Sequence, residues 1–222
     1  MITITPTGVT SRHGGAGAGA VIVDAMGTAG KAALREQLAA ARRRVADDVR
    51  AAEAAMLGEH LQRVVSSDST VCAYVPVGSE PGSIEMLDVL LRRAGRVLLP
   101  VARTTADDVP LPLRWGEYRS DGLAQGRWGL LEPLEPWLPE SALAEASLVL
   151  VPALGVDRCG VRLGRGRGFY DRSLAARNPA ALLVAIVRDD EFVDELPSEP
   201  HDVRMTHALT PKRGLIALPN RE

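Results

Sequence analysis

The sequence predicts an α/β protein: a single three-layer domain with a mostly parallel sheet and helices on both faces. Three observations predict it. Four short apolar runs rich in β-forming residues recur along the chain, at residues 70–75, 96–101, 147–152 and 182–187. Stripes of apolar residues at helical spacing lie before and between them. The first two runs bracket a helix with a short loop at each junction, and such a βαβ unit implies parallel neighbours joined by a right-handed crossover. At 222 residues and 46% hydrophobic, the chain can fill one sizeable core without a metal or disulfide staple.

The elements follow in order. Residues 1–29 are rich in Gly, Ala and Thr and hold few large apolar groups. This composition reads as a disordered tail, leaving residues 30–222 as the domain. Residues 16–26 are mildly apolar, but Asp24 breaks them and Arg12 and His13 give only a weak positive flank, so they make no secretory signal. Met26 is a candidate true start; native protein beginning at Ile2 or Thr3 would overturn that expectation. A helix is expected over residues 31–45, with Leu34, Leu38, Ala41 and Val45 as its apolar stripe and Lys31, Arg35, Arg42, Arg43 and Arg44 opposite. A second is expected from about residue 47 to 65. It would bury Val49, Ala52, Met56, Leu57, Leu61 and Val64, with Asp47 and Asp48 complementing its N-terminal dipole.

Residues 70–75 (TVCAYV), closed by Pro76, read as a buried strand. Residues 78–82 form a turn, and Ser83 is placed to cap a helix through Ala94 that buries Ile84, Leu87 and Leu91. Gly95 ends that helix, and residues 96–101 (RVLLPV) form the second strand. Residues 103–140 are rich in Pro, Gly and Trp, with little periodic signal beyond a candidate strand at 111–115. Residues 147–152 (SLVLVP) form a third strand, followed by a glycine-rich loop, a helix near 170–176 and a fourth strand at 182–187. No repeat or linker divides the chain.

Several function classes are excluded. A formal net charge of −2 makes the chain as a whole no polyanion binder, so attraction for phosphate must be local. Nucleic-acid binding is disfavoured, because no basic surface carries aromatic stacking partners. Cys72 and Cys159 form no CxxC pair, and His13, His60, His201 and His207 have no ligand-like spacing with them. Two free thiols in a reduced cytosol are expected, not a disulfide or zinc site. No apolar run is long enough to span a membrane. A cytoplasmic monomer or weak homodimer is expected.

One segment carries chemistry. In residues 161–172 (VRLGRGRGFYDR), Gly164, Gly166 and Gly168 alternate with Arg165 and Arg167, and Gly160 stands just before. The segment follows an apolar strand and opens a helix, the edge at which open α/β sheets bind ligands. Glycines let the backbone approach an anion and point successive N–H groups at it, and the helix N-terminus adds positive potential. Residues 157–172 hold five arginines against two aspartates, a local charge of +3. Arginine grips phosphate oxygens in a bidentate way. The spacing is neither Walker A nor the dinucleotide GxGxxG, so it specifies an anion without specifying a nucleotide. Asp171 reads either as a salt-bridge partner near a helix start or as a ligand for Mg²⁺ bridging phosphates, with Asp202 a candidate second carboxylate.

Residues 151–175 (VPALGVDRCGVRLGRGRGFYDRSLA) resemble the signature of the 5-formyltetrahydrofolate cyclo-ligase family, approximately P-G-x-x-F-D-x-x-G-x-R-L-G-x-G-x-G-Y-Y-D. Three more segments are similar in the same order: Lys31 and Arg35 in a K-x-x-L-R helix start, residues 74–80 with the following helix, and ELPSEPHD at 195–202. The resemblance spans roughly residues 30 to 210. It implies an α/β fold and a reaction: ATP and 5-formyltetrahydrofolate, with Mg²⁺, give 5,10-methenyltetrahydrofolate, ADP and phosphate.

Carried over by position, the resemblance implies that Lys31 and Arg35 reach the ATP phosphates. Arg162, Leu163, Gly164, Arg165, Gly166, Arg167, Gly168, Phe169 and Tyr170 would wrap them, with Arg162, Arg165 and Tyr170 catalytic. Asp171 and Asp202 would hold Mg²⁺. Val75, Glu80 and Trp128 would bind the folate, since a carboxylate can accept two N–H bonds from a pterin and an indole stacks on it. Without the resemblance, Lys31 and Arg35 read as an exposed helix face, Glu80 as a turn charge and Trp128 as core. Three positions depart from the pattern. Phe169 replaces the first tyrosine of the pair, Pro81-Gly82-Ser83 follows Glu80 where the family has V-D-T or I-E-T, and Val156 stands where Phe is common. The turn leaves Glu85 as a competitor for the role of Glu80 and motivates a second expectation, a folate or nucleotide sensor without turnover.

Overall fold

The computed structural model describes residues 27–199 and 202–219. The tail expected over residues 1–29, and the alternative start at Met26, lie outside the described residues except for the last three of the tail, which open the first helix. That helix, α1 (Gly27–Arg43), buries Lys31, Leu34, Leu38 and Arg42, spaced three, four and four apart on one face. The expected stripe is corrected here: Ala41 is exposed, and Lys31 and Arg42 turn inward. Partners make this tolerable. Lys31 Nζ donates to Glu199 and Asp202 at 3.1 and 3.0 Å. Arg42 donates to both carboxylate oxygens of Glu191 and to the Ala153 carbonyl.

α2 (Asp47–Val64) buries Ala54, Leu57, Gly58 and Leu61, an i, i+3, i+4, i+7 set. Val49 and Ala52, expected inside, are exposed because they fall on the opposite side of that wheel. After β1 (Ser69–Cys72), Ser83 occupies the N-cap of α3 (Ile84–Ala94) with extended backbone but makes no side-chain capping bond. α3 buries Met86, Leu87, Leu90 and Ala94, and leaves Ile84 exposed. Gly95, at φ 87°, turns the chain out of α3 into β2 (Gly95–Val101).

β3 lies at Arg114–Glu117, a little beyond the expected strand, and β4 (Leu123–Gln125) and β5 (Leu131–Pro133) form a hairpin. β6 (Leu148–Pro152) leads into a second hairpin, β7 (Gly155–Asp157) with β8 (Arg162–Leu163), and then the five-residue α4 (Phe169–Ser173). β9 (Leu182–Ile186), β10 (Phe192–Val193), β11 (His207–Thr210) and β12 (Gly214–Ala217) complete the chain.

The main sheet runs β12-β11-β9-β6-β1-β2-β3. Its five central strands are parallel, and the edge strands β12 and β3 are antiparallel to their neighbours. Register aligns Val71 with Val97 and Leu148, and Cys72 with Leu98 and Val149. Alternate residues therefore serve opposite faces. Val71, Val97, Leu99, Val184 and Ile186 pack with Leu57, Leu61, Leu87 and Leu90 of α2 and α3. Cys72, Leu98, Val149, Leu183 and Ala185 pack on the other face with Trp115, Leu143, Leu174 and Met205. The α/β class and mostly parallel sheet are as expected. The helical layers are unequal: α2 and α3 on one side, α4 and short 3₁₀ turns at Glu140–Glu145 and Leu174–Ala176 on the other. Among the described residues, no helix is long and apolar enough to cross a membrane.

α1 caps a small separate cluster, setting Leu34 and Leu38 against Leu154, Val161, Leu163 and Leu196. Its buried Arg42–Glu191 pair ties the helix to the end of β6. Glu191→Ala would leave that guanidinium buried without a counter-charge and is expected to cost about 3–5 kcal/mol in urea unfolding. Replacing both together, Arg42→Met with Glu191→Leu, is expected to cost far less. Equal losses would show that packing, not the uncompensated charge, dominates.

Candidate active site

A cavity of about 360 Å³ opens where the strand order reverses. β1 leads through α3 to β2 on one side, whereas β6 lies on its other side and the chain then progresses outward. Crevices outside the carboxyl ends of strands at such a point bind ligands in open α/β sheets. The cavity is lined by Tyr74 and Val75 after β1, Ala102 after β2, and Pro152 and Ala153 ending β6.

The glycine-arginine loop forms one wall, but it does not follow β6 directly. The β7–β8 hairpin intervenes, held by buried Asp157. One carboxylate oxygen of Asp157 accepts the N–H groups of Cys159 and Val161, and the other accepts that of Leu196. Gly160 makes the turn at φ 82°, where a Cβ would sit 2.5 Å from the Met205 carbonyl oxygen. β8 then aims Arg162 inward. Its Nη2 donates to Asp171 at 2.6 Å, and its guanidinium lies so close to Gly164 that a Cβ there would be 2.5 Å from Nη1. The Leu163 side chain is buried against α1 and its carbonyl accepts Leu154 N–H, so this residue fixes the hairpin.

The opposing wall comes from the turn after β1. The Tyr74 hydroxyl donates to the Pro81 carbonyl at 2.8 Å and braces the turn. Glu80 Oε2 accepts Val77 N–H at 3.0 Å, and Oε1 lies 2.9 Å from Arg165 Nε. The Pro-Gly-Ser departure thus leaves Glu80 in the cavity, whereas Glu85 is exposed on α3 and lines none of it. Between the walls lies the Tyr170 hydroxyl, buried and without a partner among the described residues. Burial pushes this phenol well above its ordinary range, Glu80 adds to the effect and Arg162 opposes it, so the hydroxyl stays protonated.

Trp128 stands at the rim, 43% exposed, and is not a core residue. It adopts φ 56°, uncommon for a bulky residue. Its ring lies 4.7 Å from the Arg167 guanidinium, 4.9 Å from that of Arg127 and 6.0 Å from Phe169. Arg167 is also anchored to Asp108 at 3.2 Å.

Residues 27–211 match the model of the 5-formyltetrahydrofolate cyclo-ligase family. The chain belongs to this family. It is 57% identical to the 5-formyltetrahydrofolate cyclo-ligase of Mycolicibacterium smegmatis over 188 residues, covering 85% of this chain and 97% of that one. The Escherichia coli K12 cyclo-ligase is 27% identical over 145 residues, covering 65% and 79%. The NMR structure of Aquifex aeolicus 5,10-methenyltetrahydrofolate synthetase superposes with a TM-score of 0.66 at 20% identity, covering 86% and 94%, and shows the shared fold. The Mycoplasma pneumoniae synthetase does so with a TM-score of 0.60 at 18% identity, covering 79% and 94%.

Most positions implied by the cyclo-ligase motifs converge. Val75, Glu80, Trp128, Arg162, Asp171 and every residue from Gly164 to Tyr170 line the one cavity. Four positions do not, and the first is Leu163, whose side chain is buried against α1. Lys31 is buried with Glu199 and Asp202, and Asp202 is outside the lining. Arg35 braces the loop from behind, with Nε donating to the Gly164 carbonyl at 3.0 Å. Sequence reasoning missed Arg42, Tyr74 and Glu132, which also line the cavity. Arg42 was assigned to the solvent face of α1, Tyr74 was read only as part of a strand, and Glu132 sits in the segment without periodicity.

Tyr170→Phe removes a buried hydroxyl that has no hydrogen-bond partner among the described residues. Its melting temperature is expected to equal or slightly exceed that of the parent, while cyclo-ligase turnover falls on the order of a hundredfold. A lower melting temperature with unchanged turnover would make the hydroxyl structural.

Proposed function

We propose that the chain closes 5-formyltetrahydrofolate to 5,10-methenyltetrahydrofolate at the expense of ATP, releasing ADP and phosphate. The observation that carries this is one cavity at the sheet's reversal point in which a glycine-arginine loop, the carboxylate of Glu80 and the unpartnered Tyr170 hydroxyl meet. No side chain there is arranged as a nucleophile activated by a base. The chemistry that fits is transfer between two bound substrates, where alignment and charge stabilisation do most of the catalysis.

In this proposal the formyl oxygen attacks the γ-phosphorus and the bond to ADP breaks. N10 then bonds to the activated carbon and loses its proton, and phosphate departs with the former formyl oxygen. Arg162, fixed by Asp171, holds positive charge where phosphoryl charge develops. Tyr170 donates its hydroxyl to an oxygen of the same group. Loop N–H groups and Arg167 hold the remaining phosphates, with Lys31 and Arg35 supporting from α1. Glu80 accepts pterin N–H bonds beside Val75, and Trp128 covers the outer face.

The donor set fits Mg²⁺. Asp171 lines the cavity with only Oδ1 engaged by Arg162. Among the described residues, no three His, Cys, Asp or Glu side chains gather as a metal centre. Mg²⁺ is commonly held this way, by one or two carboxylates and the substrate's phosphates. Asp171 would hold it, with Asp202 the candidate second carboxylate, and the ion would supply charge neutralisation. The same proposal sets the enzyme in the cytoplasm. With Glu80 in place, no observation favours a sensor without turnover.

Mixing the protein with ATP, Mg²⁺ and 5-formyltetrahydrofolate is expected to generate the methenyl product, followed by its absorbance. Arg162→Ala and Asp171→Ala are each expected to lower the rate at least a hundredfold. His60→Ala, whose ring sits against the Pro211 carbonyl on the far hairpin, is expected to leave it within about twofold. Equal losses in all three would overturn the assigned site.

A further inference from the structure

Four carboxylates are held largely out of solvent beside or beneath the cavity, and they differ in how fully they are satisfied. Asp157 accepts three backbone N–H groups. Glu191 accepts two nitrogens of Arg42 and the Arg188 N–H. Glu80 is held by Arg165 and Val77 N–H. Glu132, on β5, is 4% exposed and among the described residues meets a single nitrogen: both of its oxygens lie 2.9 Å from Arg103 Nη1. A carboxylate offers about four acceptor positions, and a buried one is normally better supplied.

Glu132 also lines the cavity, as do the apolar Leu130, Leu131, Pro100 and Ala102 and the aromatic Trp128. The local sequence makes room for it. A Cβ on Gly126 would lie 2.4 Å from Glu132 Oε2, so a side chain there would displace the carboxylate. Arg103 is itself fixed by the Ala102 carbonyl and by stacking 4.3 Å over Trp137. The acceptor is thus anchored by Arg103, and one shared nitrogen leaves lone-pair capacity on a carboxylate that lines the cavity.

We propose that Glu132 is a second substrate-binding carboxylate, accepting the amino or ring N–H of a flat nitrogen heterocycle seated against the Leu130–Leu131 wall. This rests on reading the cavity as the site for ATP and the folate. Both substrates carry such a donor edge, the adenine amino group and the pterin N–H groups, and Glu132 serves one of them. A carboxylate at that position selects a donor and repels a carbonyl.

Binding of 5-formyltetrahydrofolate alone, and of a non-hydrolysable ATP analogue with Mg²⁺ alone, would be titrated calorimetrically against the parent and Glu132→Gln. The glutamine keeps one acceptor for Arg103 and replaces the other oxygen with an N–H₂ that cannot accept a hydrogen bond. One of the two ligands is expected to bind about tenfold more weakly or worse, the other within about twofold, with the melting temperature shifted by only a few degrees. Loss confined to the folate identifies the pterin, and loss confined to the analogue identifies adenine. Unchanged affinity for both, or parallel loss of both with a collapsed melting temperature, overturns the proposal. Glu132→Asp keeps the charge beside Arg103 but withdraws the oxygens from the cavity, and the same selective loss is expected. If Glu132→Gln does not fold and Glu132→Asp binds both ligands normally, Glu132 is structural. Failure of the parent to bind either ligand would instead sink the functional assignment.

Discussion

The architecture depends on the handedness of its strand crossovers. A right-handed connection from β1 to β2 places α3 on one face of the sheet. Beyond β2 the chain returns to the other side of β1 and builds outward through β6, β9 and β11. With the direction of travel reversed, the same handedness sends the β6–β9 and β9–β11 connections across the opposite face. The loops after β1 and β6 therefore part instead of covering each other. The cavity is the space between them, and β1 contributes Tyr74, Val75 and Glu80 to one side while β6 delivers the glycine-arginine loop to the other.

A cleft made this way is only a shape; its polarity comes from charges the fold holds in place. Arg42 is the clearest case. It is 2% exposed, yet it reaches the cavity while gripping Glu191 and the Ala153 carbonyl at the end of β6. Burying it is tolerable only because those partners replace water. The same logic fixes Arg162 through Asp171. Side chains constrained by such pairing lose little further freedom on meeting a substrate, which is what preorganised electrostatic stabilisation requires.

The parallel sheet was legible because its strands are buried on both sides and read as continuous apolar runs. The loop was legible from its glycines; in the fold Gly160 and Gly164 leave room for the protein's own Met205 carbonyl and Arg162 guanidinium. Helix faces were less legible. In α1 the apolar template counted only hydrocarbon, and so chose Ala41 over Arg42. Whether a long cation is buried depends on a distant partner such as Glu191, which has no local signature. Glu132 was invisible for a related reason: it lies in a three-residue strand whose place is set by its packing against β2, too short to show a period. Trp128 had a signal of chemistry but none of position, since its positive φ follows from the tight turn between β4 and β5.

Charge counting along the loop illustrates the same limit in a different form. The sequence concentrates five arginines, which suggests a strong bare positive field. In the fold each already has a counterpart: Arg158 with Asp194, Arg162 with Asp171, Arg165 with Glu80, Arg167 with Asp108 and Arg172 with the Gly168 carbonyl. The pairs are unequal. Those of Arg158 and Arg167 are exposed on both sides, and such pairs contribute only about 0–1 kcal/mol. The Arg167 pair can therefore be exchanged for another anion, the triphosphate in the proposed reaction, at little cost. The Arg162 guanidinium is nearly buried and stays where the fold puts it. In the proposed reaction the loop would separate two tasks that composition lumps together: an exchangeable Arg167 at the rim to meet an anion, and a fixed Arg162 inside where charge would develop.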